Sequence, residues 1–151
     1  MIADIHQSYH FAASPDAIAD ALMRAEHIRR WWTTEARVDD GAGCFGWSRK
    51  GWEVELAMER DASSHHVTWV CTRSNMQDSN AWEGTTIGFT LTPEDAGTRV
   101  EFAQAGYRES PCRTACEQGW SFFIGKSLKQ YVETGRGIPY PEPQALESSA
   151  A

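Results

Sequence analysis

The stretch that decides the fold is TACEQGWSFFIGKSLKQYVET, residues 114–134. One mainly apolar face recurs in it every three or four residues and comprises Cys116, Trp120, Phe123, Ser127, Leu128 and Tyr131. Thr114 and Glu117 have the spacing of a capping box, and Gly135 follows the last turn. Such a helix would be roughly 31 Å long at about 1.5 Å per residue, the width of a small domain. The rest of the chain is therefore expected to cover its apolar face.

Working back from this helix, the sequence predicts one antiparallel sheet. Residues 2–11 have the composition of a first strand, and Ser14-Pro15-Asp16 is typical of a helix start. Residues 26–32 are expected to form a second short helix or a turn, which ends in the pair Trp31-Trp32. From residue 35 to residue 106 apolar residues alternate with polar ones in short runs, which predicts about five further strands. The expected fold is α+β, with a curved antiparallel sheet of about six strands wrapped around the long C-terminal helix and two short helices after the first strand.

Charge and length narrow the classes of partner. The chain has 151 residues, a formal net charge of −7 and a pI of about 5.2. Nucleic acids and anionic membranes are bound by basic surfaces, so neither is an expected partner. No run of 18 apolar residues is present, and residues 1–6 lack the features of a signal peptide. We therefore expect no membrane insertion and a cytoplasmic location.

The cysteines and histidines do not predict a metal site. Cys44, Cys71, Cys112 and Cys116 lack the paired spacing of structural zinc ligands, so free and mostly buried thiols are expected. Neighbouring residues of a strand point to opposite faces, so His65-His66 cannot chelate one ion. We expect neither a metal nor a cofactor.

Five short motifs occur in an order that resembles a known superfamily. They are residues 13–22 (ASPDAIADAL), residues 26–32 (EHIRRWW), Gly43-Cys44-Phe45, residues 97–100 (GTRV), and Gly119-Trp120 with residues 127–131 (SLKQY). Over roughly residues 8–134 the chain resembles the START-like (SRPBCC) superfamily. The most similar branch is named after the C-terminal domain of the activator of the 90-kDa heat-shock protein ATPase.

The resemblance implies a helix-grip fold with a hydrophobic cavity between the sheet and the C-terminal helix. Trp31 or Trp32 would lie near the cavity mouth, and Trp120 would lie on the helix. The residues expected to line the cavity are Trp31, Trp32, Phe45, Trp47, Arg49, Trp52, Val54, Trp69, Cys71, Glu83, Thr85, Phe102, Gln104, Trp120 and Phe123. Because the superfamily does not require four of the seven tryptophans, the extra rings either shape this cavity or fill it.

Few residues suggest chemistry beyond binding. Strand alternation predicts that Arg49 and Glu83 lie on the inward strand face, where they would pair or meet a charged ligand group. His27 or Glu83 could serve an enzyme of the polyketide cyclase/dehydratase kind, but no catalytic set is apparent, and an enzyme is the less favoured reading. Trp82 falls on the other strand face with Gly84 and Gly88, where an exposed ring would mark a patch for a partner or a homodimer.

These observations give one domain and a ranked set of functions. Residues 1–137 are expected to form the START-like domain, and residues 138–151 a flexible, Pro-containing tail. The first hypothesis is a binding protein for a small hydrophobic or aromatic molecule. The alternatives are a co-chaperone-like module that contacts a chaperone ATPase, and a cyclase-like enzyme.

Overall fold

The computed structural model describes residues 4–107 and 113–147. Its strands are β1 (Ile5–Phe11), β2 (Glu35–Asp39), β3 (Ala42–Trp47), β4 (Trp52–Asp61), β5 (His66–Ser74), β6 (Thr86–Glu94) and β7 (Gly97–Ala105). Its helices are α1 (Pro15–Met23), α2 (Ala25–Ile28), α3 (Arg113–Phe122), α4 (Lys129–Thr134) and α5 (Pro143–Glu147), with a π-helical segment (Phe123–Leu128) between α3 and α4 and a 3₁₀ turn (Met76–Asp78) after β5.

The seven strands form one antiparallel sheet in the order β1-β7-β6-β5-β4-β3-β2. The predicted α+β helix-grip architecture is confirmed, but the sheet has seven strands rather than about six, since β2 was not predicted. Asp40 and Gly41 join β2 to β3 with φ values of 49° and 77°. Two left-handed residues in a two-residue loop are typical of a type I′ hairpin, for which Asp-Gly is a preferred pair.

The long C-terminal helix is continuous over residues 113–134, and we call it the gripping helix. It ends at Gly135, whose φ of 87° is the left-handed conformation that favours glycine at a helix end. Thr114 was predicted as the N-cap, which is wrong because Arg113 is already helical. The predicted span is otherwise confirmed.

The two short helices follow β1 as predicted. The Ser14 hydroxyl accepts a hydrogen bond from the Ala17 backbone amide at 3.2 Å, and Pro15 occupies the first turn. The Arg60 guanidinium of β4 donates to the carboxylates of Asp16 and Asp20, both at 2.9 Å. Helix α1 is thereby fixed across β4, β5 and β6.

Residues 138–147 pack against the domain, so the flexible tail predicted from residue 138 is wrong over this range. We call this segment the C-terminal strap. Tyr140 is fully buried, its backbone amide donates to the Trp32 carbonyl at 2.9 Å, and its carbonyl accepts from the Thr34 amide at 3.0 Å. The Ser127 hydroxyl of the gripping helix joins the strap by accepting from the Ile138 amide. Prolines suggested a segment without a core, but one buried tyrosine and backbone pairing are enough to order it. Residues 148–151 of the predicted tail lie outside the described residues.

Across the described residues, none of the helices is long and apolar enough to span a membrane.

Candidate functional site

The interior between the sheet and the gripping helix is occupied by tryptophan rings. Each of the seven tryptophans is at most 6% exposed. The Trp32 ring lies at the centre, with its centroid 5.3 Å from that of Trp69, 5.9 Å from that of Trp31 and 5.2 Å from that of Trp47. The rings of Trp31 and Trp69 are nearly parallel to that of Trp32, whereas the Trp47 ring meets it edge-on. Such arrangements stabilise beyond the area that the rings bury.

The same array continues onto the gripping helix. The Trp120 centroid lies 5.6 Å from that of Trp32 and 4.8 Å from that of Phe102. On its other side Trp120 stacks on Trp82 with a centroid separation of 5.1 Å and an interplanar angle of 14°. Trp82 is 4% exposed, so its expected position on an exposed partner patch is wrong. The stacking on Trp120 draws this ring inward from the loop before β6.

The cavity that remains has a volume of about 10 Å³, comparable to the space that one water molecule occupies. It is lined by Trp32, Trp47, Met76, Trp82, Cys116, Gly119, Trp120 and Phe123. Four of these were predicted as cavity residues: Trp32, Trp47, Trp120 and Phe123. None of the eight side chains carries a charge. The extra tryptophans therefore fill most of the space that the resemblance implied would be open.

Most of the other predicted cavity residues lie in the core without lining this space. Trp31, Phe45, Trp52, Val54, Trp69, Cys71 and Phe102 are all buried. Four of them, Trp31, Phe45, Trp69 and Phe102, pack against the lining rings of Trp32 and Trp120 and form a wall behind the cavity. Met76 and Trp82, which do line it, were not predicted. The signal for Met76 was its place as the single large apolar residue in the polar stretch of residues 74–80.

The prediction that Arg49 and Glu83 lie on the inward face of a strand is wrong. Strand β3 ends at Trp47, so Arg49 lies in an exposed turn, where its backbone amide donates to the Tyr140 hydroxyl at 2.6 Å. Glu83 is half-buried before β6 and accepts from the Ser74 amide at 3.1 Å. Among the described residues they form no ion pair with each other. Both residues lie beyond a strand end, where the alternation of inward and outward side chains no longer applies.

Gln104 and Thr85 do face inward as predicted, and they bond to each other. The Gln104 side-chain amide donates to the Thr85 hydroxyl at 3.1 Å, and the Thr85 hydroxyl donates to the Trp82 carbonyl at 2.7 Å. The Gln104 side-chain oxygen accepts from the Trp120 indole at 3.0 Å. All of these groups are buried, so this chain of bonds fixes the gripping helix and the loop carrying Trp82 to the sheet.

Three buried indole N–H groups have no hydrogen-bond partner among the described residues, namely those of Trp47, Trp69 and Trp82. An unpaired buried donor costs about 1–3 kcal/mol, and native proteins carry few of them. Two of the three, Trp47 and Trp82, line the small cavity, whereas Trp69 lies in the wall behind it. The cavity is thus bordered by residues that have donors to offer.

The loop joining β5 to β6 closes the cavity from outside, and we call residues 75–84 the lid. Met76 and Trp82 are its large buried side chains. Gln77 and Asp78 have φ values of 58° and 57°. The left-handed conformation costs roughly 1–2 kcal/mol for a residue with a Cβ. The backbone of the lid is therefore strained, chiefly at Gln77.

Side-chain hydrogen bonds connect the edges of the lid to β4 and the turn before it. The Asn75 side-chain oxygen accepts from the Glu53 amide at 2.7 Å, and its nitrogen donates to the Gly51 carbonyl at 3.0 Å. The Asp78 carboxylate accepts from the Trp52 indole at 3.3 Å. These contacts are polar and near solvent, where individual bonds are weak and exchangeable with water.

The candidates for catalysis do not meet at the cavity. His27 Nδ1 lies 2.6 Å from the Tyr131 hydroxyl, and neither it nor Glu83 lines the space. Cys116 is buried and accepts from the Tyr107 hydroxyl at 3.3 Å, as expected of a packed thiol. Burial raises the pKa of the Cys71 thiol to about 12, with the charges of Glu83 and Glu55 acting in the same direction. Within residues 4–107 and 113–147 no cluster of side chains suits a metal ion. Cys112 lies outside the described residues.

A curved sheet wrapped on a C-terminal helix, with an aromatic interior between them, defines a helix-grip protein. The chain belongs to the family described as Activator of Hsp90 ATPase homolog 1-like protein, whose model matches residues 12–133. The resemblance to the START-like superfamily is thereby confirmed. Among curated proteins none matches the chain.

Solved structures share the same fold. The Aha1 dimer from Colwellia psychrerythraea has 23% identity and a TM-score of 0.76, covering 89% of this chain and 99% of its own. The AHSA1-like protein from Aeromonas hydrophila has 18% identity and a TM-score of 0.61, covering 88% and 94%. DynU16, of the dynemicin biosynthetic locus, has 16% identity and a TM-score of 0.66, and 93% of this chain matches 51% of it. At these identities the likeness concerns the fold.

Proposed function

We propose that the protein binds a small, flat, hydrophobic molecule between the sheet and the gripping helix, and that the lid opens to admit it. The observation that carries this proposal is the small uncharged cavity directly beneath Met76 and Trp82 of the lid. Its walls are aromatic and thioether groups, which suit flat apolar ligands. A ligand would take the space that the Met76 side chain fills, beside the rings of Trp82 and Trp120.

Because the interior is filled, a ligand can bind only if a lid side chain moves out, and this movement costs free energy. Exposing one large apolar side chain costs about 2–3 kcal/mol, which is the burial free energy of such a group. If the closed form is favoured by that amount, the apparent affinity falls by roughly 30- to 150-fold relative to an open protein. Release of the strain at Gln77 and Asp78 offsets part of this cost. Binding of modest affinity is therefore expected from the wild-type protein.

The test is a titration followed by intrinsic tryptophan fluorescence, since six of the seven rings belong to one array. A panel of neutral two- and three-ring aromatic compounds serves as probe. Met76→Ala should bind more tightly than the wild type because it removes a side chain that occupies the site. Met58→Ala is the matched control, since Met58 is buried but does not line the cavity. A flat response from all three proteins across the panel would overturn the proposal.

A second candidate function, contact with a chaperone ATPase, is favoured by the filled interior and by the family. A domain whose cavity holds about 10 Å³ can act through its surface without any ligand. The related Aha1 from Colwellia psychrerythraea is described as a dimer, so a second copy of this chain is also a candidate partner.

These surface functions have separate assays. An activator should raise the ATP turnover of an Hsp90-class chaperone when added at increasing concentration. An unchanged rate at saturating protein would remove this candidate. Light scattering coupled to size-exclusion chromatography gives the mass in solution, and a monomer mass at all concentrations would exclude the homodimer.

A further inference from the structure

We infer that the site selects neutral aromatic ligands that carry an acceptor oxygen, such as a ring ketone, through the indole N–H groups of Trp47 and Trp82. This inference rests on the proposed function and specifies the ligand class. It starts from the unpaired state of both donors in the closed protein. Both residues are at least nine-tenths buried and line the same space.

The numbers of hydrogen-bond donors and acceptors around the cavity determine whether a donor or an acceptor on the ligand is favoured. Of the four indoles in the lining, that of Trp120 donates to Gln104. Those of Trp47 and Trp82 are buried donors without a partner among the described residues, while the side-chain acceptors of the lining are limited to the weak sulfur atoms of Met76 and Cys116. A ligand that brings an oxygen acceptor therefore removes an existing deficit, whereas a ligand that brings only donors adds to it.

The absence of charge in the lining sets the second limit on the ligand. None of the eight residues is ionisable in the ordinary pH range except the packed thiol of Cys116. A carboxylate or ammonium group would lose its hydration without gaining a counter-charge, which is costly in a buried site. The ligand class is therefore neutral as well as oxygen-bearing.

A hydrocarbon of the same shape provides the reference against which the selection is measured. The probes are 9-fluorenone and fluorene, which differ by a carbonyl in place of a methylene group. One neutral hydrogen bond changes an equilibrium constant by about 2- to 10-fold. The wild-type protein should therefore bind fluorenone about 2- to 10-fold more tightly for each indole that donates to it.

Phenylalanine substitutions remove the donors singly. Trp47→Phe and Trp82→Phe should each lower the ratio of fluorenone to fluorene affinity, even where they change both affinities through packing or lid opening. Trp69→Phe is the matched control, since it removes an unpaired buried indole that does not line the cavity. Its ratio should equal that of the wild type. Because the ratio cancels general effects on the fold, a purely structural role of these rings would leave it unchanged.

A measurement on the wild-type protein covers the case in which a variant does not fold. Indole N–H resonances in a ¹H–¹⁵N spectrum should include two that move downfield with fluorenone but not with fluorene. Equal affinities for the two probes, or a ratio that survives both substitutions, would overturn the selection while leaving the binding function intact. Failure of both probes to bind wild type and Met76→Ala alike would overturn the binding function itself.

Discussion

Tyr140 should be a major determinant of stability, although it lies beyond the helix on which the domain is built. Its ring is fully buried, and its hydroxyl accepts from the Arg49 amide at 2.6 Å. Its backbone pairs on both sides with the segment that follows Trp32. Two substitutions separate these contributions: Tyr140→Phe removes the hydroxyl alone, and Tyr140→Ala removes the whole ring.

The expected magnitudes differ several-fold. Loss of a neutral hydrogen bond costs about 1 kcal/mol, so Tyr140→Phe should lower the free energy of unfolding by roughly that amount. Truncating a buried aromatic ring to alanine costs about 3–5 kcal/mol, because a cavity is left where the ring was. At roughly 2–4 °C for each kcal/mol in a domain of this size, Tyr140→Ala should lower Tm by about 6–20 °C.

Urea denaturation followed by tryptophan fluorescence measures both changes. Gln144→Ala is the control, since Gln144 belongs to the same strap and is exposed, and it should stay within about 0.5 kcal/mol of the wild type. If Tyr140→Ala also stayed within that range, the strap would not be packed in solution, and the reasoning would be refuted. A chain ending at Gly137 should lose at least as much stability as Tyr140→Ala.

Three further predictions concern the buried network, a thiol and the gripping helix. Gln104→Leu should lower the free energy of unfolding by about 2–4 kcal/mol in urea titrations, because it leaves the buried Trp120 indole unpaired and also removes the bond to the Thr85 hydroxyl; a loss below 1 kcal/mol would contradict this. The Cys71 thiol should resist iodoacetamide in the folded protein at pH 9.5 and react in urea, and its contribution to stability should be lost as pH rises from about 9 towards 12, because the unfolded thiol ionises first; rapid labelling of Cys71 in the native protein, located by peptide mass mapping, would refute it. Gly125→Ala should destabilise by about 1–3 kcal/mol despite the better helix propensity of alanine, because the new Cβ would lie 2.6 Å from the Tyr9 ring; adding Tyr9→Leu should restore part of the loss, and additive effects would argue against this contact.

The position of Trp82 in the lid could not be predicted from the alternation of apolar and polar residues. The alternation of side chains in β6, continued towards the N-terminus, predicts Trp82 on the outer face of a strand. The strand begins only at Thr86, and Trp82 lies in a turn where alternation has no meaning. Its stacking partner Trp120 is 38 residues away in the sequence. Nothing local to either residue indicates that contact, since it depends on how the gripping helix lies across the sheet.

The strap was missed for a related reason. Proline-rich composition is typical of a flexible end, and the strap has only three large apolar residues, Ile138, Tyr140 and Leu146. Pairing with residues 32–34 satisfies the backbone of Tyr140, and that pairing joins positions more than 100 residues apart. Composition describes a segment by itself, whereas order in this segment comes from a distant surface.

The sequence by itself determined the α+β class, the helix over residues 114–134, the two short helices and most of the strands. These features follow from short-range periodicity, capping residues and turns, which act over a few residues. The same periodicity placed Gln104, Thr85 and Trp69 inside. Whether the interior is open or filled was decided only by the tertiary structure. Cavity volume depends on how side chains from distant strands and one helix fit together, and in this protein the Trp82 and Met76 side chains of the lid reduce it to about 10 Å³.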